Sequence, residues 1–270
     1  MSEEISRFGK KTLSRLVATG FGSRVTAFAT RSLKTTSCVV RHGGLSLVFA
    51  YSFPGVRYRV DTFATKEPET LEWIDTFPSG SNFVDVGANI GLYSVYAARR
   101  GARVLAIEPG PENIFTLIMN VQLNDLSKTV CLYFNAIGHE DGRVVVLQQG
   151  TVDPGGARLS AFQPSEEAAL TWMSPIRTLD SVCTEQDFWP DFIKVDIDGN
   201  EHEFLLGAEQ AIRCAKEIQL ETDVGNPEYE DIITRLESFG HHSVRRTLAQ
   251  PGSSTYNLVF KNLRWRDRNE

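Results

Sequence analysis

The sequence predicts an α/β protein with a doubly wound, mostly parallel sheet of seven strands and an antiparallel hairpin at one edge. Three observations predict this class. The segment Phe83–Ala98 has the pattern of a buried strand, a glycine turn and a helix. A second apolar strand within Arg103–Pro109 ends at Glu108. From there to residue 261, strand and helix patterns alternate and end in a strand pair.

The composition is that of an ordinary globular protein, with 41% hydrophobic and 23% charged residues among 270. The formal net charge of −6 argues against bulk attraction to nucleic acid, which depends on clustered Lys and Arg. The four cysteines are widely spaced, which predicts free thiols in a reducing cytoplasm. The sequence has no apolar run of membrane-spanning length and no signal-peptide pattern. We therefore expect a soluble, cytoplasmic protein without a nucleic-acid partner.

Residues 1–66 are predicted to form an N-terminal β-containing extension, and residues 67–270 the main domain. Ser6–Thr19 has the spacing of a basic amphipathic helix. Docking of this helix on its own domain is favoured over contact with an anionic membrane surface, although its pattern suits both. Short strands separated by glycine and proline turns are predicted at Cys38–Arg41, Leu45–Tyr51 and Tyr58–Val60.

The main domain alternates strands and helices. After the strand that begins at Phe83 and the strand within Arg103–Pro109, further strands are predicted at Val130–Ala136, Phe192–Ile197, Glu217–Leu220, His242–Leu248 and Asn257–Lys261. Helices are predicted at Glu67–Phe77, Leu92–Ala98, Pro111–Asn124, Glu201–Arg213 and Pro227–Phe239. Two more strands, Gly142–Gln149 and Trp172–Arg177, flank the segment Thr151–Ala169. A loop this long is usually functional or disordered, so we expect it to lie over the pocket as a lid or substrate wall.

The turn after the first core strand indicates the kind of ligand. A dinucleotide pyrophosphate prefers G-x-G-x-x-G, because the backbone must approach two phosphates closely. Here Asn89 stands between Gly87 and Gly91, and Asp85 precedes the first glycine by two residues. A carboxylate in this place repels phosphates but suits a ligand with a positive amine and a sulfonium. S-adenosylmethionine is such a ligand, although a similar turn also occurs in other α/β proteins.

Acidic and amide side chains follow four of the predicted strands. They are Asp85 with Asn89, Glu108, Asp196 with Asp198, and Glu221 with Asp223. In open α/β sheets, ligands bind beyond the carboxyl ends of the strands. Glu108 lies about 20 residues after the glycine turn, where nucleoside-binding folds place a carboxylate for the ribose hydroxyls. Carboxylates gathered at one buried edge repel one another, so hydroxyls, a cation or a metal must compensate them.

Three ordered motifs carry a family resemblance. They are the turn Asp85–Gly91, the triplet Thr178–Asp180, and the block Phe192–Glu201 followed by Phe204–Ala208. Together they resemble the FkbM family, a branch of the class I methyltransferases. Two positions depart from the family pattern, since Asp198 replaces the usual Glu and Asn200 replaces a small apolar residue.

The resemblance implies a Rossmann-like fold, S-adenosylmethionine as the cofactor, and methyl transfer to a hydroxyl of a small molecule or glycan. It also implies that the end of the third strand contacts adenine. The predicted cofactor-binding residues are therefore Asp85, Gly87, Asn89, Gly91, Glu108, Asn135 and Ala136. An asparagine that merely forms a turn at a strand end explains Asn135 equally well.

Methyl transfer to oxygen needs an aligned nucleophile, exclusion of water and a base near the acceptor. Asp196 is the candidate base, and Asp198, Glu201 and His202 are neighbours that could substitute for it. Asp196 could equally orient the cofactor or cap a helix. A metal alternative places Mg²⁺ on Asp196, Asp198 and Asp223, but the resemblance implies none, and we expect no metal.

Other functions are weighed against methyl transfer. A non-catalytic adenosyl-binding protein would keep the pocket without turnover. An NAD-linked oxidoreductase is disfavoured because the turn lacks the phosphate pattern and no Tyr has a Lys four residues later. Methylation of a nucleobase amine is disfavoured because no Asn-Pro-Pro-Tyr follows the fourth strand. A protein or lipid acceptor stays open.

Overall fold

The computed structural model describes residues 36–150, 160–161, 169–249 and 252–265. Its strands are β1 (Ser37–His42), β2 (Leu45–Ala50), β3 (Asn82–Val86), β4 (Arg103–Ile107), β5 (Val130–Tyr133), β6 (Ala136–Ile137), β7 (Val144–Gln149), β8 (Ser160–Ala161), β9 (Leu170–Arg177), β10 (Phe192–Val195), β11 (Glu217–Asp223), β12 (His241–Leu248) and β13 (Thr255–Asn262). Its helices are α1 (Pro54–Asp61), α2 (Pro68–Ile74), α3 (Leu92–Arg99), α4 (Pro111–Leu123), α5 (Leu179–Gln186), α6 (Glu201–Leu206), α7 (Glu209–Cys214) and α8 (Tyr229–Ser238). The predicted basic helix Ser6–Thr19 lies outside the described residues.

Seven strands form the central sheet, in the order β12-β13-β11-β10-β3-β4-β5. β3 pairs in parallel with β4 and β10, while β4 pairs in parallel with β5 and β10 with β11. β13 is antiparallel to both β11 and β12. This arrangement confirms the predicted doubly wound sheet with an antiparallel hairpin at its edge. The strand order reverses between β3 and β10, which is the place where such sheets bind ligands.

Helices cover both faces of the central sheet, because successive residues of a strand point to opposite sides. Phe83 of β3 packs in one apolar cluster with Val95 of α3 and Leu117 of α4. The next residue, Val84, packs in a second cluster with Phe204 of α6. The two clusters hold β3 and its turn between them.

The N-terminal extension contains a helix that the sequence pattern did not predict. The predicted hairpin is present as the antiparallel pair β1 and β2. The predicted strand Tyr58–Val60 is wrong, because these residues lie within α1. Pro54 stands at the start of α1, where its fixed φ and missing N–H suit a helix. Val56 and Val60 are four residues apart and are both buried, as expected for one helical face.

Asn120 of α4 and Asn124, which follows this helix, join the hairpin to the rest of the chain. The Oδ1 atom of Asn120 accepts a hydrogen bond from Ala50 N at 2.7 Å, and its Nδ2 donates to Ile90 O at 2.7 Å. Asn124 accepts from Val48 N at 2.9 Å and donates to Val48 O at 2.7 Å. Buried hydrogen bonds thus cross the predicted boundary between residues 66 and 67, and the division into two domains stays a prediction.

The predicted single helix Glu201–Arg213 is wrong, because it is divided into α6 and α7. The break occurs at Gly207, where an added Cβ would lie 2.1 Å from Gly138 O. The carboxylate of Asp180 accepts hydrogen bonds from two backbone N–H groups at the start of α7, at 2.9 and 2.8 Å. These contacts come from segments distant in the sequence, so the local helical pattern could not predict the break.

The triplet Thr178–Asp180 acts as a pair of helix caps. The Oγ1 atom of Thr178 accepts a hydrogen bond from Ser181 N at 3.2 Å and so caps α5, a short helix that was not predicted. Asp180 caps α7 as described above. This motif therefore shapes the face of the sheet opposite α3 and α4.

A smaller sheet, in the order β6-β9-β7-β8, is formed by the chain between β5 and α5. The strands predicted at Gly142–Gln149 and Trp172–Arg177 are present as β7 and β9. The strand predicted at Val130–Ala136 is interrupted, since β5 ends at Tyr133 and β6 begins at Ala136. The predicted lid over residues 151–169 lies largely outside the described residues, although β8 within it pairs with β7.

The cysteines and the lengths of the helices bear on the character of the chain. All four cysteines are free, as predicted. Among the described residues, no helix has both the length and the apolar character needed to cross a bilayer.

Candidate functional site

A cavity of about 590 Å³ lies at the carboxyl ends of β3, β4, β10 and β11, at the reversal of the strand order. This volume is within the range of small-molecule sites. The residues that the strand ends and following loops contribute include Val86, Gly87, Asn89, Ile107, Glu108, Asn135, Ala136, Asp196, Asp198 and Glu221. Five of the seven predicted cofactor residues and the predicted base therefore share one cavity. The other two predicted cofactor residues, Asp85 and Gly91, do not line it.

Gly87 allows the turn after β3 to pass against the end of β10. Its φ is 80°, and an added Cβ would lie 1.9 Å from Asp196 O. Any side chain here would therefore force the two strand ends apart. The N–H groups of Gly87 and Ala88 both donate to Ile107 O, at 3.0 and 2.9 Å. The turn is thus fixed to β4 on one side and to β10 on the other.

Asp85 and Gly91 support the turn from beneath. The Oδ2 atom of Asp85 accepts a hydrogen bond from Ser94 Oγ at 2.6 Å, whereas its buried Oδ1 has no partner among the described residues. Burial raises the pKa of Asp85, and the positive charge of Lys194 opposes this rise. Gly91 has a φ of 79° and precedes α3, where an added Cβ would lie 2.1 Å from Leu117 Cδ1.

Glu108 is buried at the end of β4 and is held by three donors. Its Oε2 accepts a hydrogen bond from Asn89 N at 2.8 Å. Its Oε1 accepts from Gly110 N at 2.8 Å and from Asn113 Nδ2 at 3.2 Å. Burial raises the pKa of Glu108 to about 7, even though these donors favour the ionised form. The Oε2 atom, which has one protein donor, can still accept a further hydrogen bond from a ligand in the cavity.

Asn135 and Ala136 form the adjoining part of the cavity wall. The Nδ2 atom of Asn135 donates to Pro175 O at 3.2 Å, which leaves the amide oxygen as an acceptor for a ligand. The backbone N–H of Ala136 donates to Ser174 Oγ at 3.1 Å. Ala136 can therefore contact a ligand through its methyl group, while its N–H is engaged within the protein.

Lys194 is a buried cation beneath the cavity. Its Nζ lies 3.1 Å from the Oδ2 atom of Asp196, and its side chain is only 3% exposed. Burial alone would lower the pKa of Lys194, but the carboxylates of Asp196, Glu67 and Asp85 raise it. Burial would likewise raise the pKa of Asp196, but Lys194 reverses this effect and lowers it. Sequence analysis named this lysine only as part of a motif, although a charge within an apolar strand was a usable signal.

Glu221 reaches the same cavity from the neighbouring strand. Val195 is paired with Leu220 in register, so Asp196, which follows β10, and Glu221, which lies within β11, come next to this pair on adjacent strands. Burial, together with the negative charges of Asp196 and Glu67, raises the pKa of Glu221 to about 8. Two neighbouring carboxylates in one cavity thus differ in their affinity for a proton.

The other predicted residues lie in different places. Asp198 lines the cavity and has a φ of 49°. Glu201 is buried but does not line the cavity. His202 also lies outside the cavity lining, and its side chain contacts Glu228. Asp223 is exposed, and its Oδ1 accepts a hydrogen bond from Gly225 N at 2.7 Å. In the part of the chain that the structure describes, no group of three or more His, Cys, Asp or Glu side chains is arranged to hold a metal ion.

Sequence analysis missed the wall that the extension contributes. Tyr58 and Arg59 of α1 line the cavity, and so does Lys66. The charge of Arg59 opposes the rise that burial causes in the pKa of Glu108, and it adds to the effect of Lys194 on Asp196, so it acts across the cavity. Arg59 and Lys66 also line a smaller adjoining cavity of about 30 Å³. Pro54 was the available signal, because proline is favoured at the start of a helix.

An apolar wall from the smaller sheet was also missed. Val145, Leu147 and Ile176 line the cavity from β7 and β9. Trp172 of β9 donates its Nε1–H to Pro109 O at 3.1 Å and so ties this sheet to the loop after Glu108. The alternation along β7, with residues 145 and 147 buried and residues 144 and 146 exposed, was the usable signal.

Comparison with known proteins places this chain in a family. The profile described as the methyltransferase FkbM domain matches residues 85–243. Methyltransferase 1 of Beauveria bassiana (strain ARSEF 2860) is 27% identical over 235 residues, which cover 78% of this chain and 93% of that protein. Methyltransferase sdnD of Sordaria araneosa is 46% identical over 54 residues, which are 19% of this chain and 21% of that protein.

A solved structure supports the fold. A Streptococcus mutans protein, described as a SAM-dependent methyltransferase, superposes with a TM-score of 0.50 at 11% identity. The match covers 83% of this chain and 55% of that chain. The FkbM profile spans more than half of the chain and includes the glycine turn, Glu108, Lys194, Asp196 and Glu221. The chain therefore belongs to the FkbM family of class I, S-adenosylmethionine-dependent methyltransferases.

Proposed function

We propose that this chain transfers a methyl group from S-adenosylmethionine to a hydroxyl oxygen of a small molecule or glycan. The observation that carries this proposal is that Glu108, Asp196 and Glu221 share one cavity at the reversal of the strand order. The first carboxylate suits a ribose, and the other two suit a sulfonium and an acceptor hydroxyl.

The residues present fit the cofactor. Glu108 would accept hydrogen bonds from the ribose hydroxyls, since its carboxylate is oriented by three protein donors. Asn135 would accept a hydrogen bond from the adenine amine through its amide oxygen, because its Nδ2 is already bound to Pro175 O. Val145 and Ile176 would supply apolar contacts to the base.

The methionine portion would extend from Glu108 past Gly87 towards Asp196. Gly87 has no side chain to obstruct this path, and Arg59 and Lys66 provide positive charge for the methionine carboxylate. When bound, S-adenosylmethionine supplies an electrophilic methyl group on a sulfonium. Asp196 contributes a permanent negative charge near that position, because Lys194 keeps it ionised.

The charge of the cavity indicates the acceptor class. Asp196, Asp198, Glu203 and Glu221 all line the cavity, and they outnumber its lining cations Arg59, Lys66 and Arg143. These carboxylates would repel phosphate groups and accept hydrogen bonds from hydroxyls. A neutral polyhydroxylated acceptor therefore fits better than a nucleic acid.

The experiment is methyl transfer from S-adenosylmethionine labelled in its methyl group to a panel of acceptors. The panel contains polyols, glycosides and phenols, together with matched amines and transfer RNA. We expect label in a hydroxyl compound, as an ether that mass spectrometry and NMR identify. Label found only in amines or RNA would overturn the oxygen assignment. Cofactor binding without transfer to any class would instead favour a non-catalytic adenosyl-binding protein.

A further inference from the structure

Two carboxylates face the same part of the cavity, and the structure distinguishes them. Asp196 follows β10 and Glu221 is in β11, and the register of these parallel strands places the two residues side by side. Both line the cavity. Either one could receive a proton from an acceptor hydroxyl.

Asp196 is already committed to a protein partner. Its Oδ2 atom lies 3.1 Å from Lys194 Nζ, and its backbone N–H donates to Val86 O at 3.0 Å. The charges of Lys66 and Arg59 further stabilise its ionised form. A carboxylate held in this way accepts a proton poorly, because protonation would leave the buried Lys194 with less compensation.

Glu221 is differently placed. Its side chain makes no hydrogen bond or ion pair with the residues that the structure describes. The charged groups that face it are Asp196 and Lys194 from β10 and Lys66 and Glu67 from the segment before α2, while Asn257 of β13 is its register partner. Burial and the negative charges of Asp196 and Glu67 raise the pKa of Glu221 to about 8. Glu221 therefore has both an open position and a high affinity for a proton.

On the basis of the proposed methyl transfer, we propose that Glu221, and not Asp196, is the catalytic base that faces the transferred methyl group and the acceptor hydroxyl. The acceptor oxygen forms a bond to the methyl carbon as the carbon–sulfur bond breaks and its electron pair stays on sulfur. The hydroxyl proton passes to the Glu221 carboxylate and from there to solvent. Asp196 remains ionised throughout and stabilises the sulfonium.

The test compares the affinities of S-adenosylmethionine and S-adenosylhomocysteine as a function of pH, by titration calorimetry. The first ligand carries a sulfonium charge and the second does not, whereas both have the same ribose, adenine and carboxylate. Ionisation of Glu108 therefore cancels in the ratio of the two affinities. The ratio is the affinity for S-adenosylmethionine divided by that for S-adenosylhomocysteine. If Glu221 faces the sulfonium, this ratio rises on the order of fivefold as pH increases through about 8, because Glu221 ionises there.

Variants assign the pH dependence. Glu221→Gln is expected to abolish the rise, and Glu221→Asp, which keeps the charge, is expected to retain it. Asp196→Asn should lower the ratio and move the rise to lower pH without removing it, because the charge of Asp196 contributes to the raised pKa of Glu221. The matched control is Asp223→Asn, which neutralises an exposed carboxylate of the same strand outside the cavity and should behave as wild type.

The outcomes separate this inference from the proposed function. A ratio independent of pH in wild type, or a rise that survives in Glu221→Gln or disappears in Asp196→Asn, overturns the assignment of Glu221 even though the cofactor binds. Failure of both ligands to bind overturns the proposed function and the inference together. With an acceptor from the labelling panel at pH 7, where Glu221 of the free protein is largely protonated, Glu221→Gln should also reduce kcat at least 100-fold with little change in the KM for S-adenosylmethionine.

Discussion

At the scale of single residues, the site depends on how burial and hydrogen bonding divide protons among carboxylates. Glu108, Asp196 and Glu221 share one cavity, yet burial raises the pKa of the first and third while Lys194 lowers that of the second. Their identities were predictable, because each lies at or just after the end of a predicted strand. Their protonation was not predictable, because it depends on Lys194 and on contacts from other segments.

The raised pKa of Glu108 makes cofactor binding dependent on pH. Ribose hydroxyls donate to the ionised carboxylate, so binding must release a proton wherever the empty site is protonated. With a pKa of about 7, affinity for S-adenosylhomocysteine should rise as pH increases through 7 and become constant above it. Calorimetry in buffers of different ionisation enthalpy measures both the affinity and the proton released.

Glu108→Gln is the matched variant for this prediction. It should remove the pH dependence and weaken binding above neutral pH by about 1–3 kcal/mol, through loss of charge-assisted hydrogen bonds. An affinity that is independent of pH in wild type, or equal in the two proteins, would show that Glu108 does not bind the ribose.

At the scale of secondary-structure elements, α1 contributes a wall of the cavity that lies outside the unit of β3, its glycine turn and α3. Its Arg59 lines the cavity and its charge reaches Glu108 and Asp196. Arg59→Ala is therefore expected to weaken both S-adenosylmethionine and S-adenosylhomocysteine by about 1–3 kcal/mol, since both carry the methionine carboxylate. The measurement is calorimetry of both ligands.

Arg57 provides the control on the same helix. Its Nε donates to Tyr51 O at 3.1 Å, and its side chain does not line the cavity. Arg57→Ala should bind both ligands as wild type does. Equal losses in the two arginine variants, or none in Arg59→Ala, would contradict a role for α1 in cofactor binding.

The break between α6 and α7 yields a prediction about stability. Gly207→Ala would place a methyl group 2.1 Å from Gly138 O, and backbone cannot move as easily as a flexible side chain. We expect a loss of about 1–3 kcal/mol in the free energy of unfolding, measured by urea denaturation. Gly150→Ala is the control, because an added Cβ there has no neighbour within 4 Å among the described residues. A Gly207→Ala protein as stable as this control would show that the close approach does not cause the break.

At the scale of the whole molecule, the hairpin of the extension is linked to the central domain through α4. Asn120 hydrogen-bonds Ala50 N in β2 and Ile90 O in the turn before α3. Asn120→Ala would leave both groups buried without these partners. We expect it to lower the free energy of unfolding by about 1–3 kcal/mol for each group, in one cooperative transition.

Urea denaturation followed by circular dichroism and tryptophan fluorescence measures this loss. Asn226→Ala, which removes one hydrogen bond in a loop, should be close to neutral. Separate transitions for the extension and the central domain, or no loss in Asn120→Ala, would indicate that the extension is an independent unit.

The sequence predicted some elements of the fold and the site, whereas others depend on contacts between distant segments. The central strands and the glycine turn were predictable because buried parallel strands are short apolar runs and Gly87 and Gly91 both have positive φ. The helix over Tyr58–Val60 and the break at Gly207 were not, because a Pro-Gly pair suits a turn or a helix start and because Gly138 is distant in the sequence. The cavity walls from α1 and β7 depend on the same kind of distant contact.

The most direct test of the account is the crystal structure of the chain with S-adenosylhomocysteine bound. We expect the ribose hydroxyls within hydrogen-bond distance of Glu108, the adenine beside Asn135, and the sulfur near Asp196 and Glu221. A ligand bound outside this cavity, or bound with its ribose away from Glu108, would contradict the account.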